Sequence, residues 1–482
     1  MKTVSIVKAG LGGGAALLLT GLLTAAPAQA AAAGSVPCSP GALVAAITAA
    51  NAAGGGTINL ASGCTYALAS ADNGENGLPV VTTRIGVNGN GATIAGNNTS
   101  FRVFEVDGPG GNLSLQNVTI TGGSADVGGG IENVGGTVTL NHSQVTGNTA
   151  TQAGGGIASA TFDPASVAKI TLNNSTVTGN SQSESSPDSL GGGGIVNILG
   201  TVTLNSSQVN RNSAQGFVGG GIASGDYLNF SDTTSFLTLN NSQVNGNTAP
   251  NGNGGGIQNL LGTATLNSSQ VDGNTSVNAG GISSGPGNGG APGDTSQLIL
   301  SKSEVNGNTA TAPVPQPGEG APPIAAGGIV NGGNATLNST KVDNNTTSHT
   351  SGAGIVNHGT MTLNKSEVNS NTAAGSGPVA SGGGIVSAQG PPETVPTTLT
   401  INNSQVNNNT AGGNGGGIAN GISPMLTGGA LTLNHSQVTG NTAAHGGGIF
   451  NSGGTVTLAT TSVTGNNPDN CEPTGTISGC TG

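Results

Sequence analysis

Arg102, Glu105 and Asp107 are the residues whose types and spacing could do chemistry in this chain. Two carboxylates at i and i+2 lie on one side of a β-strand. Paired carboxylates with a nearby cation are the groups that acid–base cleavage of a glycosidic bond requires. A lyase would instead need a basic residue to abstract a proton and carboxylates to hold Ca²⁺. The supply of such groups is thin. Beyond residue 30 the cations are Arg84, Arg102, Lys169, Arg211, Lys302, Lys341 and Lys365, and no Asp-Asp pair occurs. Carboxylates beside an arginine are more often a surface ion pair than a site, so these three are weak catalytic candidates. His358 and His445 each precede a glycine, and no Cys or His stands at metal-ligand spacing from them. The glycine triplets lead into strand sequence, not helix, so they are not phosphate loops. The composition therefore calls for no metal and no cofactor.

What positions these residues is a repeat. Thr137 to Asn148 reads TVTLNHSQVTGN, and GGGI follows at Gly154 to Ile157. The phrase returns eleven times, ending at Asn148, Asn180, Asn212, Asn247, Asn274, Asn308, Asn345, Asn371, Asn409, Asn441 and Asn466, with gaps of 25 to 38 residues. A period of that length signals a solenoid. Val138 and Leu140 alternate with Thr137 and Thr139, the period of a half-buried strand. Further short strands centre on Val145 and Ile157, so three strands and three turns make one coil of a parallel β-helix. Gly, Thr, Asn, Ser and Val dominate, and all are poor helix formers.

An active site is built once, so eleven identical asparagines are read as structural. Asn tolerates the left-handed region of tight turns, and stacked side-chain amides can bond from coil to coil. Two residues after each Ile of the glycine phrase comes Asn133, Ser159, Asn197, Ser224, Asn259, Ser284, Asn331, Asn357, Ser387, Asn420 or Asn451. Ser precedes long insertions and Asn, except Asn420, short connections, which reads as a turn code. Outward Thr-x-Thr pairs at Thr137/Thr139, Thr201/Thr203, Thr263/Thr265, Thr360/Thr362, Thr398/Thr400 and Thr455/Thr457 suit exposed strands. A regular threonine array can also bind ice, but Lys169, Ile299 and Asn334 interrupt it.

The chain holds 482 residues with 90 Gly, two Tyr, seven Phe, no Trp and a formal net charge of −11. A solenoid needs few aromatics, because its core is a narrow stack of aliphatic side chains. The acidic balance excludes nucleic acid and anionic membranes as natural partners. Residues 1–30 have the form of a secretory signal, with Lys2, Lys8, an apolar stretch to Leu23 and Ala28-Gln29-Ala30. No later apolar run is long enough for a membrane-spanning helix. Ser39-Pro40 opens a helix through Ala53 that would cover the first coil. In an exported chain with four cysteines, Cys38 with Cys64 is the natural pair, and Cys471 and Cys480 close a last loop. The expected layout is signal peptide 1–30, cap helix and first coils 31–110, β-helix repeats 111–466 and a disulfide-closed cap 467–482. About fourteen coils are expected.

CSPGALVAAITAAN, GGGTINL and GCTYAL resemble the N-terminal cap module written Cys-Ser-Leu-Arg-Glu-Ala, with small residues in place of its Arg-Glu pair. The repeats are similar to those of polymorphic outer-membrane proteins, whose signatures are Gly-Gly-Ala-Ile and Phe-x-x-Asn. Here they stand as Gly-Gly-Gly-Ile and Val145-Thr146-Gly147-Asn148, and that family's C-terminal membrane barrel has no counterpart. The layout looks most like exported β-helix proteins of actinobacteria. These resemblances imply an all-β, right-handed parallel β-helix of the pectate-lyase-like class with an N-terminal capping helix. They imply a surface or adhesive role. With the signal segment and the thin supply of catalytic groups, the expectation is a secreted, extracellular scaffold that is adhesive or binds glycans or host and cell-surface components as a monomer, without catalysis. The alternatives are a polysaccharide lyase or glycoside hydrolase of the pectin-degrading type and, after it, ice binding. Ligand contacts are expected from inserted loops, such as Thr311 to Ala326 and Asp226 to Ser235.

Overall fold

The alternation of Val138 and Leu140 with threonine places both aliphatic side chains in a fully buried interior, in one core cluster with Val145 and Ile157 of the same coil. Stacking that pattern produces a right-handed parallel β-helix. The computed structural model describes residues 34–481 apart from 99, 162–165, 187–188, 227–233, 287–295, 313–323, 377–379, 390–395 and 424–425. The expected signal segment and the middles of both named insertions lie outside the described residues.

One coil holds four short strands, not three, distributed over three parallel sheets. In the coil that begins at Thr137 they are Thr137–Asn141, Gln144–Thr146, Thr149–Ala153 and Ile157–Ala160. The first two belong to one broad sheet of 26 strands, fourteen rungs deep, and the others to sheets of 10 and 14 strands. The third strand escapes sequence reading because most coils spend only two residues on it, such as Ser181–Gln182. That is too short for a period to show. Register is preserved throughout: Val138 pairs with Ile170, Val145 with Val177 and Ile157 with Ile195. Each buried aliphatic side chain contributes roughly 1.5–3 kcal/mol.

The bends correct one expectation. The left-handed residues are not the repeated asparagines but their predecessors, such as Gly147 (φ 64), Arg211 (φ 55) and Asn344 (φ 55). A second left-handed position ends the first strand, at His142, Asn174, Lys302, Lys365 and His435, with φ between 48 and 52. The chain turns at these residues, which leaves the asparagine that follows Gly147 in an ordinary conformation with its amide pointing inward.

The first coil is covered by helix α1 (Pro40–Ala52), whose Leu43, Ile47 and Ala50 face the core. Ser39 caps it, its hydroxyl accepting from the Ala42 N–H at 3.3 Å. Cys38 is bonded to Cys64, and Tyr66, fully buried, donates its hydroxyl to the Val36 carbonyl at 2.8 Å. At the other end Cys471 is bonded to Cys480, and the strand Cys471–Glu472 pairs with Ile449–Asn451. No described helix is long and apolar enough to cross a membrane.

Candidate functional site

Arg102 lies beneath the outer face of the 14-stranded sheet at its N-terminal end. The residue is 7% exposed, and its guanidinium collects three carboxylates: Glu132 at 2.9 Å, Glu75 at 3.2 Å and Glu105 at 3.4 Å. It also donates to Asn76 Oδ1 at 2.6 Å and, through Nε, to the Val127 carbonyl at 3.2 Å. Glu105 and Glu132 are register partners on adjacent coils. Burial pushes the Glu132 carboxyl up from 4.5 to about 7; Arg102 opposes the rise, while Glu105, Glu75 and Asp107 add to it. Of the three candidates read from sequence, Arg102 and Glu105 meet. Asp107 is exposed, outside the ion-pair distances to Arg102, and acts only as a nearby charge. Glu75 and Glu132 were missed. The available signal was Glu132's place directly after Ile131 in the first Ile-x-Asn strand, where every later coil carries an uncharged residue.

A carboxyl that titrates near neutrality beside a second carboxylate has the elements of a general acid. The geometry gives it another task. Every Arg102 branch is occupied, and the guanidinium fills the space between the carboxyls. The cluster joins a loop at Glu75–Asn76 to two coils, as a staple would. The two shallow grooves on the broad sheet, described below, are lined by none of these residues.

The interior asparagines form a continuous ladder. Asn148 donates from both its backbone N–H and Nδ2 to Asn180 Oδ1 at 3.0 Å, and Nδ2 also reaches the Ile120 carbonyl at 3.2 Å. Asn180, Asn212, Asn247, Asn274, Asn308, Asn345, Asn371 and Asn409 repeat the pattern toward Asn441 and Asn466. At the end Asn470 Oδ1 accepts from Asn466, standing in for a further rung. A second buried row runs through the turn-code position: Asn133 Nδ2 bonds the Gly136 carbonyl and Ser159 Oγ, both at 3.1 Å. Asn there pins the glycine that closes a short connection. A buried serine row, from Ser143 through Ser175 and Ser207, was not anticipated.

Two outer faces remain. On the 14-stranded sheet, outward-facing Ala158, Val196, Val356, Val386 and Ala419 are buried. Leu190, Val218, Ile324, Ile422 and Leu426 from inserted segments pack over them. On the broad sheet, Thr139, Thr171, Thr203, Thr238, Thr265, Thr336, Thr362, Thr400, Thr432 and Thr457 form a row in register, interrupted only at Ile299. Beside it runs an outer asparagine row, in which Asn173 donates to Asn141 at 2.9 Å. Two shallow grooves, of about 290 and 530 Å³, open on this sheet.

The remaining titratable groups are placed by the bends. His358 is half-buried with Nδ1 2.8 Å from the Ala388 carbonyl, and desolvation lowers its pKa. His445 faces Glu472 at 3.3 Å. Asp272 and Asp343 stand on the outer edge of the broad sheet; burial raises both, Asp272 to about 6. Among the described residues no three His, Cys, Asp or Glu come together as a metal site.

No family model matches the chain, and no curated protein matches it. Among solved structures, the chain is similar to a mutant tailspike protein of E. coli bacteriophage HK620 in complex with pentasaccharide. The identity is 15%, the match covers 87% of this chain and 75% of that chain, and the TM-score is 0.37. The fold assignment rests on the strand pairing described above.

Proposed function

We propose that this protein is an exported, extracellular β-helix scaffold that binds carbohydrate or another cell-surface component and performs no catalysis. The observation that carries this reading is the open face of the broad sheet. It presents threonine and asparagine rows in register from coil to coil, and the two grooves described on it are shallow and open. Repetition of donors and acceptors at ~4.8 Å per coil suits an extended partner lying on a surface. Two disulfides, Cys38–Cys64 and Cys471–Cys480, fit an oxidising compartment. The proposed kinship is with exported repeat proteins carrying a Cys-Ser-Leu-Arg-Glu-Ala-type cap, such as those of actinobacteria. Ice binding is less well supported, because Phe236, 48% exposed, and Lys169 protrude from the row beside the threonines.

The test is a binding screen of the purified chain on glycans and cell surfaces, with parallel assays for new reducing ends and unsaturated sugars. Retention without product supports the scaffold. Product formation favours the second reading, hydrolysis at Glu105 and Glu132, which the raised Glu132 pKa recommends. In that case Glu132→Gln abolishes the activity.

A further inference from the structure

Stacking dictates the interior of each coil, so a coil that keeps its interior and changes its exterior is responding to something outside the solenoid. Residues 297–306 form such a coil. Leu298, Leu300, Ser303 and Val305 remain inward and buried, and Asn308 continues the interior ladder. The outward positions all depart from the preceding coil. Gln297 pairs with Thr263, Ile299 with Thr265, Ser301 with Asn267 and Glu304 with Gln270. Lys302 takes the left-handed bend that Ser268 occupies one coil earlier. Ser301 interrupts the outer asparagine row between Asn267 and Asn338.

These changes coincide with a groove. The shallow depression of about 290 Å³ is lined by Asn241, Gln243, Ser268, Gln270, Lys302 and Glu304, which belong to this coil and the two before it. Phe236 lies on the first of those coils, between Thr201 and Thr263 in register. It is five residues before Asn241, ~17 Å along an extended strand. Among the described residues the exposed aromatic side chains are Phe217 and Phe236, and only Phe236 stands on a strand of the broad sheet. Glu304 takes a 3.4 Å contact from Gln270 Nε2, and among the described residues Lys302 has no carboxylate within ion-pair distance.

We propose that the outer face of residues 236–245, 263–272 and 297–306 is a binding site for an uncharged oligosaccharide of pyranose units. The chain would lie along the strands, from Phe236 to the rim formed by Lys302 and Glu304. A pyranose offers an apolar C–H face and a ring of hydroxyls. Phe236 and the Ile299 methyls match the first. The amides of Asn241, Gln243 and Gln270 both donate and accept, and match the second. Lys302 and Glu304 add one strong donor and one strong acceptor of opposite charge. Their sum favours a neutral ligand, as does the acidic balance of the chain, which repels an anionic polymer.

The inference rests on the scaffold reading and names its ligand class. The test uses the full secreted chain, neutral glucan, mannan and galactan oligosaccharides on an array, and titration calorimetry of any that bind. One variant returns the coil to the repeat (Gln297→Thr, Ile299→Thr, Ser301→Asn, Lys302→Ser, Glu304→Gln), and another is Phe236→Thr. Thr410→Ala, at an exposed position of the 10-stranded sheet and away from the broad sheet, serves as the control. The expected result is at least a tenfold weaker affinity for both variants, with unchanged melting and an unaffected control. Equal binding by parent and reverted coil overturns the site and leaves the scaffold reading standing. Binding to acidic glycans alone, or to cell surfaces but no glycan, overturns the ligand class only. A parent that binds no glycan and no surface overturns both.

Discussion

The outer face of the 14-stranded sheet and the outer face of the broad sheet are built from the same repeat and treated in opposite ways. The first carries Val196, Val356, Val386 and Ala419, and inserted segments seal it. The second carries threonine and asparagine and is left open. The difference lies in where the connections fall. The bends between the paired strands of the broad sheet are two residues long, so they supply no segment to fold back over it. The long insertions flank the 14-stranded sheet, and their apolar residues need a surface to bury. The uncovered face is therefore the one available for binding, and the covered face contributes stability.

The comparison breaks if a charge is tolerated equally on both faces. Val356→Asp places an unpaired carboxylate under the cover and is expected to cost ~3–5 kcal/mol, whereas Thr362→Asp, one coil position away on the open face, should stay within about 0.5 kcal/mol. Thermal and urea melts of the two variants decide it. The Arg102 cluster at the end of the sealed face gives the next largest effect. Glu132 has a folded pKa of about 7 against 4.5. Its contribution is complete below pH 4.5 and is lost as the pH rises through 7, a change of up to ~3 kcal/mol. Melts of the parent across that window should show falling stability, and Glu132→Gln should flatten the profile. An unchanged slope in the variant assigns the titration elsewhere.

The interior and exterior asparagine rows sharpen the contrast between buried and open polar groups. Asn274→Ala removes the acceptor of two donors from Asn247 and should cost ~1–3 kcal/mol. Asn308→Ala should cost about the same. Asn267→Ala, in the outer row, leaves groups that water can reach and is expected to cost less than ~0.5 kcal/mol. Equal melts for all three would show that burial is not what makes the ladder matter. The smallest effect concerns an insertion. Thr311 bonds the Ser276 carbonyl, and Ala312 and Ala325 are buried, so its ends are anchored. Replacing only residues 313–323 by a short glycine-serine turn should leave the melting temperature nearly unchanged, whereas removing all of Thr311 to Ala326 should lower it. This narrows the sequence-based expectation that the whole segment could be exchanged freely.

The repeat, its coil length and the inward Val, Leu and Ile positions were legible because a solenoid writes its core into every period. The paired cysteines and the helix opening at Ser39 were legible for local reasons: compartment chemistry for the first and a capping side chain for the second. Asn148 and its equivalents declared themselves structural through repetition, yet the left-handed turn belongs to the residue before them. No amount of counting distinguishes a side chain that makes a bend from one that points inward after it.

Local sequence determined which residues alternate, where the chain can turn and which side chains must be buried, because these depend on neighbours within one coil. Tertiary structure decided the partners. Arg102 reaches Glu75 and Glu132, 27 and 30 positions away, only because successive coils bring them to the same face. The threonine row becomes continuous only when register aligns coils of unequal length. Coil length varies in the insertions while the strands stay in step, so sequence spacing loses the information that strand pairing restores.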